Sequence, residues 1–313
     1  MNANELKKQL GIRPEATPKG NIKRALRNPK GLTGLLLLLV LVLTALSAPL
    51  LTDHPPDRRS GKPHEAPNSS HYLGTTRMGK DVFSQLLYGA RTSLTVGFVA
   101  GLLATFVGVV VGLASGYFGG RVDDLLTFFV NVVLVLPALP LIIVIASFID
   151  RASPLVIGFV LAATGWGWTA RVIRTQTLAI KQKDFVQAAQ LMDESLWRIL
   201  LVQIMPNMLS LIVGGLVLAT IYAILAEAGL EFIGLGDPSS VTWRTMLFWG
   251  QKNAALQVGA WWEILPACFA IMITGAALVL VNFSVDEVTN PLLRKLKYEN
   301  KVKAYLKRRG LPA

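Results

Sequence analysis

The sequence predicts an all-α polytopic membrane protein with six transmembrane helices and both termini in the cytoplasm. Three observations predict it: few charges, six long apolar runs and a lopsided distribution of Lys and Arg. Of 313 residues, 52% are hydrophobic and only 16% charged, where a soluble domain carries about 25% charge. Uncharged runs occupy 32–51, 92–118, 125–149, 152–170, 208–226 and 264–285, each close to or above the roughly 20 apolar residues that a helix needs to cross a bilayer. None alternates in polarity every second residue, so the strands of a membrane barrel are excluded and helices satisfy the backbone instead.

The first run follows basic residues and ends near Ala45-Leu46-Ser47, a sequence resembling a signal-peptide cleavage site. Its apolar stretch is too long for a cleaved signal, so it is read as a retained first span. The single cysteine, Cys268, falls inside the sixth run and is read as a core thiol. Orientation follows from the basic residues. The N-terminal tail, the Arg121 loop, segment 171–206 and the C-terminal tail hold 22 of the 31 Lys and Arg, which places them in the cytoplasm by the positive-inside rule. The whole net charge of +12 then lies on that side. These basic residues, such as Lys23, Arg24, Lys307 and Arg308, flank spans. They fix topology and meet anionic lipid, and no aromatic-interleaved patch suggests nucleic acid.

The expected organisation is a basic N-terminal tail (1–31), a first span (32–51), an external segment (52–91), a five-helix core (92–285) containing a cytoplasmic loop (171–206), and a basic C-terminal tail (286–313). Within the external segment, 53–70 reads as a flexible loop rich in Pro, Ser and charge. Val82, Phe83, Leu86, Leu87 and Ala90 then share one helical face, which suggests an amphipathic helix lying at the outer interface.

Gly74-Thr75-Thr76-Arg77-Met78-Gly79-Lys80 has the spacing of a phosphate-binding loop, but Asp81 stands where Ser or Thr is required and no hydrophobic strand precedes it. The chain is therefore read as carrying no ATP site and binding no cofactor of its own. His54, His64 and His71 are spread through the external segment without metal-ligand spacing and are read as solvated. Gly97, Gly101, Gly108, Gly112 and Gly116 recur along one face of the second span and predict an interhelical seam. Pro137 and Pro140 predict a kinked or unwound third span, consistent with plain packing or with a lined pathway.

Segment 171–206 is a long polar excursion between two spans. Asp184 is read as the cap of a short helix running through Phe185, Gln187, Ala188, Ala189, Leu191 and Met192, with a turn at Asp193 and a second cap at Ser195. The small Ala188-Ala189 pair lets this helix lie against another surface, either a partner or lipid.

Gln187-Ala188-Ala189, Asp193 and Ile204-Met205-Pro206-Asn207 resemble the Glu-Ala-Ala loop of bacterial ABC importer permeases. The likeness extends through His71-Tyr72-Leu73-Gly74-Thr75, Leu86-Leu87-Tyr88-Gly89-Ala90-Arg91, Gly116-Tyr117-Phe118-Gly119-Gly120 and Phe232-Ile233-Gly234-Leu235-Gly236 to the dipeptide/oligopeptide/nickel branch, second permease type. It covers about residues 20–295 and departs at Gln187 for Glu, Asp193 for Gly and Met205 for Leu.

The resemblance implies a type I importer fold in a prokaryotic cell membrane. It implies a homologous second permease, two cytoplasmic ATPases that hold ATP and Mg, and an extracytoplasmic substrate-binding protein. Residues 184–193 would then dock the ATPase, and the cargo would be peptides, nickel or short oligosaccharides. A gated channel is the remote alternative, and it would leave segment 171–206 without a purpose. Glu227 and Glu231, one turn apart near the outer end of the fifth span, have two readings. They form an outer mouth, or Glu227 ties its helix to the returning segment at Trp243 and Arg244.

Overall fold

Helices account for every apolar run in the computed structural model, which describes residues 28–148, 153–232, 237 and 239–289. In chain order these are α1 (Pro29–Leu46), α2 (Val82–Phe118), α3 (Gly120–Val135), α4 (Ala138–Ser147), α5 (Pro154–Lys181), α6 (Asp184–Leu191), α7 (Leu209–Phe232), α8 (Trp243–Lys252) and α9 (Leu265–Thr289). Five segments are long and apolar enough to cross a membrane. The third run is divided: Pro137 has no N–H to continue the α-helical ladder, and Leu136 turns to an extended ψ of 127° between α3 and α4. Pro140 sits in the first turn of α4, where its missing donor costs nothing. Both basic tails lie almost wholly outside the described residues, as do Arg151 and 233–236 of the Gly-rich exit.

Two expectations change here. The amphipathic stretch at 82–91 is not a separate interfacial helix but the first turns of α2, which runs unbroken for 37 residues. At 1.5 Å per residue it reaches roughly 55 Å, well beyond a hydrocarbon core of about 30 Å. Its apolar face therefore stands clear of the core, and it is covered by protein: Val82 and Ala90 pack with Trp243, Met246 and Ala267 in one buried cluster. Likewise α5 extends past the expected end of its span at 170 to Lys181, so the start of segment 171–206 is helix rather than loop.

The glycine face of α2 determines the packing. A Cβ on Gly112 would lie 2.6 Å from the Ala170 carbonyl oxygen and 2.8 Å from Ile173 Cβ, and one on Gly116 would lie 2.7 Å from Thr177 Cβ, all on α5. Higher up, Gly97 and Gly101 meet Ile224 and Thr220 of α7 instead. The single seam predicted from spacing thus serves two neighbours in turn, because an i±4 ridge winds slowly around the helix axis. At the edge of the bundle α1 packs on α9, where a Cβ on Gly34 would lie 2.7 Å from the Ala277 carbonyl oxygen.

The external segment is built around buried polar hubs, not solvated histidines. His71 is 4% exposed, and its Nδ1 pairs with Asp81 Oδ1 at 2.8 Å. The other Asp81 oxygen accepts from the Ser84 N–H and hydroxyl, capping α2. His54 stacks on His71, and His64 Nδ1 lies 2.6 Å from Glu263 Oε1. In the Gly74–Lys80 turn, the amides of Gly74, Thr75, Thr76 and Gly79 donate to His71, Glu65, Lys80 and Thr76 carbonyls. Those four donors are spent within the chain, which leaves no phosphate cradle there. Cys268, read as a core thiol, is exposed on α9.

Gly112→Ala is expected to lower the thermal midpoint of the purified protein, because over-packing against backbone costs about 1–3 kcal/mol. Gly275→Ala on α9, where an added Cβ meets nothing within 4 Å, is the control and should match or exceed the parent. Equal midpoints for the two variants in differential scanning fluorimetry would count against the close approach of α2 and α5.

Candidate functional site

Segment 171–206 folds as a braced projection. Lys183 is the N-cap residue of α6, without a side-chain bond. Asp184 is thus the first helical residue and not the cap; its charge faces the positive end of the helix dipole. Val186 and Ala189, three apart, are buried in a cluster with Ile173, Ile180, Ile199 and Ile204. The opposite face carries Phe185, Gln187 and Ala188, all exposed. Ala188 and Ala189 therefore do different jobs: adjacent residues on a helix point about 100° apart, and only Ala188 is available to an outside surface.

The helix ends in a Schellman motif. Asp193 N–H donates to the Gln190 carbonyl and Glu194 N–H to the Ala189 carbonyl. Asp193 takes a φ of 54°, the left-handed turn that Gly adopts freely and Asp only at a cost. Past it, Ser195 starts the short helix Leu196–Arg198 without a side-chain cap bond. The chain then loosens into π-turns over Ile199–Ile204 and tightens into 3₁₀ turns over Met205–Met208 around Pro206.

At the tip, Leu191 is 89%, Met192 77% and Trp197 70% exposed. Together with Phe185 they form an apolar knob. Trp197 escaped the sequence reading because it lies outside the recognised motif; a large aromatic beside the charged Glu194 and Arg198 is the signal that would have found it.

The projection is fastened to the membrane helices by contacts that spacing does not reveal. Lys181 Nζ donates to the Tyr117 carbonyl at 2.6 Å and lies over its ring, while Gln190 Nε2 donates to the Tyr117 hydroxyl. About two turns back along α5, Arg174 makes a bidentate pair with Asp123 at 2.5 and 2.6 Å. Ser115 and Thr127 hydroxyls donate to the same carboxylate. This set, led by the Arg174 hydrogen bond, holds the Asp123 carboxyl well below the usual carboxylate range. It locks the start of α3 to α5 beside Gly119, whose φ of 68° and ψ of −166° suit glycine alone.

At the outer end, Glu227 Oε1 lies 3.4 Å from Arg244 Nη1, with both side chains 2% exposed. Helix α8, started by a Thr242–Thr245 capping box, is pinned to α2 by two bonds. The Trp243 amide donates to Ser93 Oγ and its indole to the Leu86 carbonyl. Glu227 thus meets the returning segment, the geometry of a tie, and is not open to a mouth. Glu231 occupies the last turn of α7, and its side chain lies outside the described residues. Among the described residues no cluster of three or more His, Cys, Asp or Glu has the arrangement of a metal site.

Removing one partner of a buried ion pair costs about 3–5 kcal/mol, so Glu227→Gln should reduce the midpoint and yield of the assembled protein. A double-mutant cycle with Arg244→Gln is expected to show a coupling energy of about 1 kcal/mol or more. Strictly additive losses would refute the tie.

The comparisons with known proteins agree with this architecture. Residues 108–297 match the family described as binding-protein-dependent transport system inner membrane component, and residues 21–69 match the N-terminal TM domain of oligopeptide transport permease C. The dipeptide transport system permease protein DppC of Bacillus subtilis is 32% identical over 275 residues, covering 87% of this chain and 85% of its own. The oligopeptide transport system permease protein OppC of Mycobacterium tuberculosis is 30% identical over 282 residues, or 88% and 95% of the two chains. A putative peptide transport system permease protein of Brucella abortus is 32% identical over 274 residues, or 87% and 91%. The longer family match alone spans more than half of a chain whose helices carry the expected apolar spans, and the protein therefore belongs to the family of binding-protein-dependent transport system inner membrane components.

Proposed function

We propose that this membrane permease is one of two homologous permease subunits of an ATP-driven peptide importer in a prokaryotic inner or plasma membrane. Two cytoplasmic ATPases carry ATP and Mg, an extracytoplasmic binding protein delivers di- or oligopeptides, and this chain binds no cofactor of its own. The observation that carries the reading is the exposed apolar set of Phe185 and Leu191 on a helix whose other face is fixed by Val186 and Ala189, with Met192 at its end and Trp197 on the short helix that follows. Large apolar side chains held out rigidly from a cytoplasmic projection need a partner groove to bury them. The peptide cargo rests on the names of the relatives.

Coupling follows from that placement. ATP closing the ATPase pair moves the docked helix, and the bonds from Lys181 and Gln190 to Tyr117 carry the displacement to the junction of α2 and α3. Chemistry stays with the ATPases, and the permease converts their motion into a change of access.

Ala188→Arg is expected to prevent ATPase association by steric exclusion while leaving the permease's own midpoint within about 0.5 kcal/mol of the parent, as surface changes do. Ala189→Arg should instead disturb the permease itself, since it forces a charge into the buried cluster. Co-purification of ATPase with both variants at parental levels would defeat the docking assignment. For the function as a whole, proteoliposomes holding the complete complex should accumulate labelled tripeptide only with ATP, ATPases and binding protein present. ATP-driven uptake of nickel or a short oligosaccharide instead of peptide would overturn the cargo, and flux without ATPases would indicate a channel.

A further inference from the structure

A cavity of about 500 Å³ opens at the break between α3 and α4. Its walls come from three elements, at positions midway along each: Leu136 and Pro137 at the break, Thr164 and Trp168 on α5, and Gly215 and Tyr222 on α7. Counting residues from the helix ends places it near the middle of the spans.

Backbone that leaves the helical ladder at that depth is tolerated only when buried in protein or facing a watery cavity. Val133, whose carbonyl loses its α-helical donor to Pro137, is one of the lining residues.

The lining chemistry is specific. Among the described residues it contains no charged side chain, two aromatic rings on facing helices, and threonine hydroxyls among aliphatic groups. The volume lies within the range of about 300–1,000 Å³ that holds small organic ligands. Trp168 is 60% exposed although it lies in the middle of α5. Gly165 and Gly215 add no side chain to the wall: a Cβ on Gly165 would meet Ala104 of α2 at 3.8 Å, and one on Gly215 would press on Thr169 Cγ2 at 3.3 Å. At the cytoplasmic rim, one turn below Trp168, Arg171 donates to Asn131.

We propose that this cavity is a cargo subsite that receives one uncharged, preferably aromatic, side chain of the peptide in transit, so that the permease itself selects among the peptides delivered to it. The occupant is argued from the lining. Facing aromatic rings suit an aromatic or aliphatic group. A carbonyl released from the helix and threonine hydroxyls suit a neighbouring main-chain amide. The absence of charge from the wall disfavours Lys, Arg, Asp or Glu at that position, since a charge taken there would leave water without a counterion.

The inference rests on the peptide-import reading, and the test keeps the two apart. The complete transporter, with its partner subunits, is reconstituted in proteoliposomes, and uptake of Ala-Ala-Ala is compared with that of Ala-Phe-Ala. Gly215→Leu and, on the opposite wall, Thr164→Leu put larger side chains at the lining. Each is expected to lower Ala-Phe-Ala uptake at least tenfold relative to Ala-Ala-Ala, with ATPase activity and subunit composition at parental levels. A photoreactive tripeptide with benzoylphenylalanine at its centre should crosslink to segment 164–169 in the parent and not in Gly215→Leu. Equal losses for both peptides, no loss for either, or crosslinks confined to other segments would overturn the subsite. Loss of the second permease from both variants would show that the cavity is a subunit contact and overturn it as well. A parent transporter that moves neither peptide would remove the peptide-import reading, and the subsite with it, and that result is seen without any variant.

Discussion

Everything in this molecule depends on how closely α2 approaches its neighbours. In lipid there is no hydrophobic drive to bring helices together, so contact must come from van der Waals fit. The fit here is backbone against backbone: Gly112 leaves no room for even one methyl group before the Ala170 carbonyl. That contact sets the spacing of α2 and α5. It thereby fixes where the Lys181 end of α5 emerges and where segment 184–198 is anchored. The same ridge, about three to four turns further along α2, sets α7 against it at Gly101 and Gly97. The two contacts leave α3 and α4 to close the remaining side, and there the proline break lines the cavity.

The polar structure is concentrated where the apolar packing ends. At one end of the bundle, Asp123–Arg174 and the Tyr117 contacts fasten α3, α5 and α6 to one another. At the other end, Glu227–Arg244, His71–Asp81 and His64–Glu263 fasten α7, α8, segment 52–91 and the stretch just before α9. All but His71–Asp81 join stretches far apart in sequence, and several are nearly sealed from water. Buried pairs add little net stability over an apolar substitute, but they are costly to break singly. They therefore specify arrangement more than they add stability. The ends of the bundle are held in register while the middle, with its small side chains and proline break, is lined by groups with few directional bonds.

The membrane class, the apolar helices, the glycine seam and the short helix before Asp193 were all legible in the sequence. They follow from local rules: length of apolar runs, a four-residue spacing, a missing N–H. The turn at Asp193 was legible for the same reason, because a Schellman end with its left-handed residue is a local structure. The misreadings share a different cause. Stretch 82–91 has the pattern of an interfacial helix, and periodicity cannot tell a face covered by lipid headgroups from one covered by Trp243 and Ala267. His71 sits in a stretch rich in Pro and Ser, and nothing in that stretch announces that Asp81, ten residues on, buries it.

Segment 184–193 shows where the division falls. The sequence determined that a helix forms there, that small residues lie at its centre and that it ends in a tight turn. It could not decide which of Ala188 and Ala189 faces outward, because that depends on where Ile173, Ile199 and Ile204 stand when the helix folds back on them. Nor could it pair Glu227 with Arg244 rather than with solvent or cargo, since the two lie on different helices and meet only after α8 docks on α2. Short-range backbone and hydropathy rules act along the chain and are written in it. Burial, ion pairing and cavity shape depend on which helix faces come together, and the tertiary structure alone decides those.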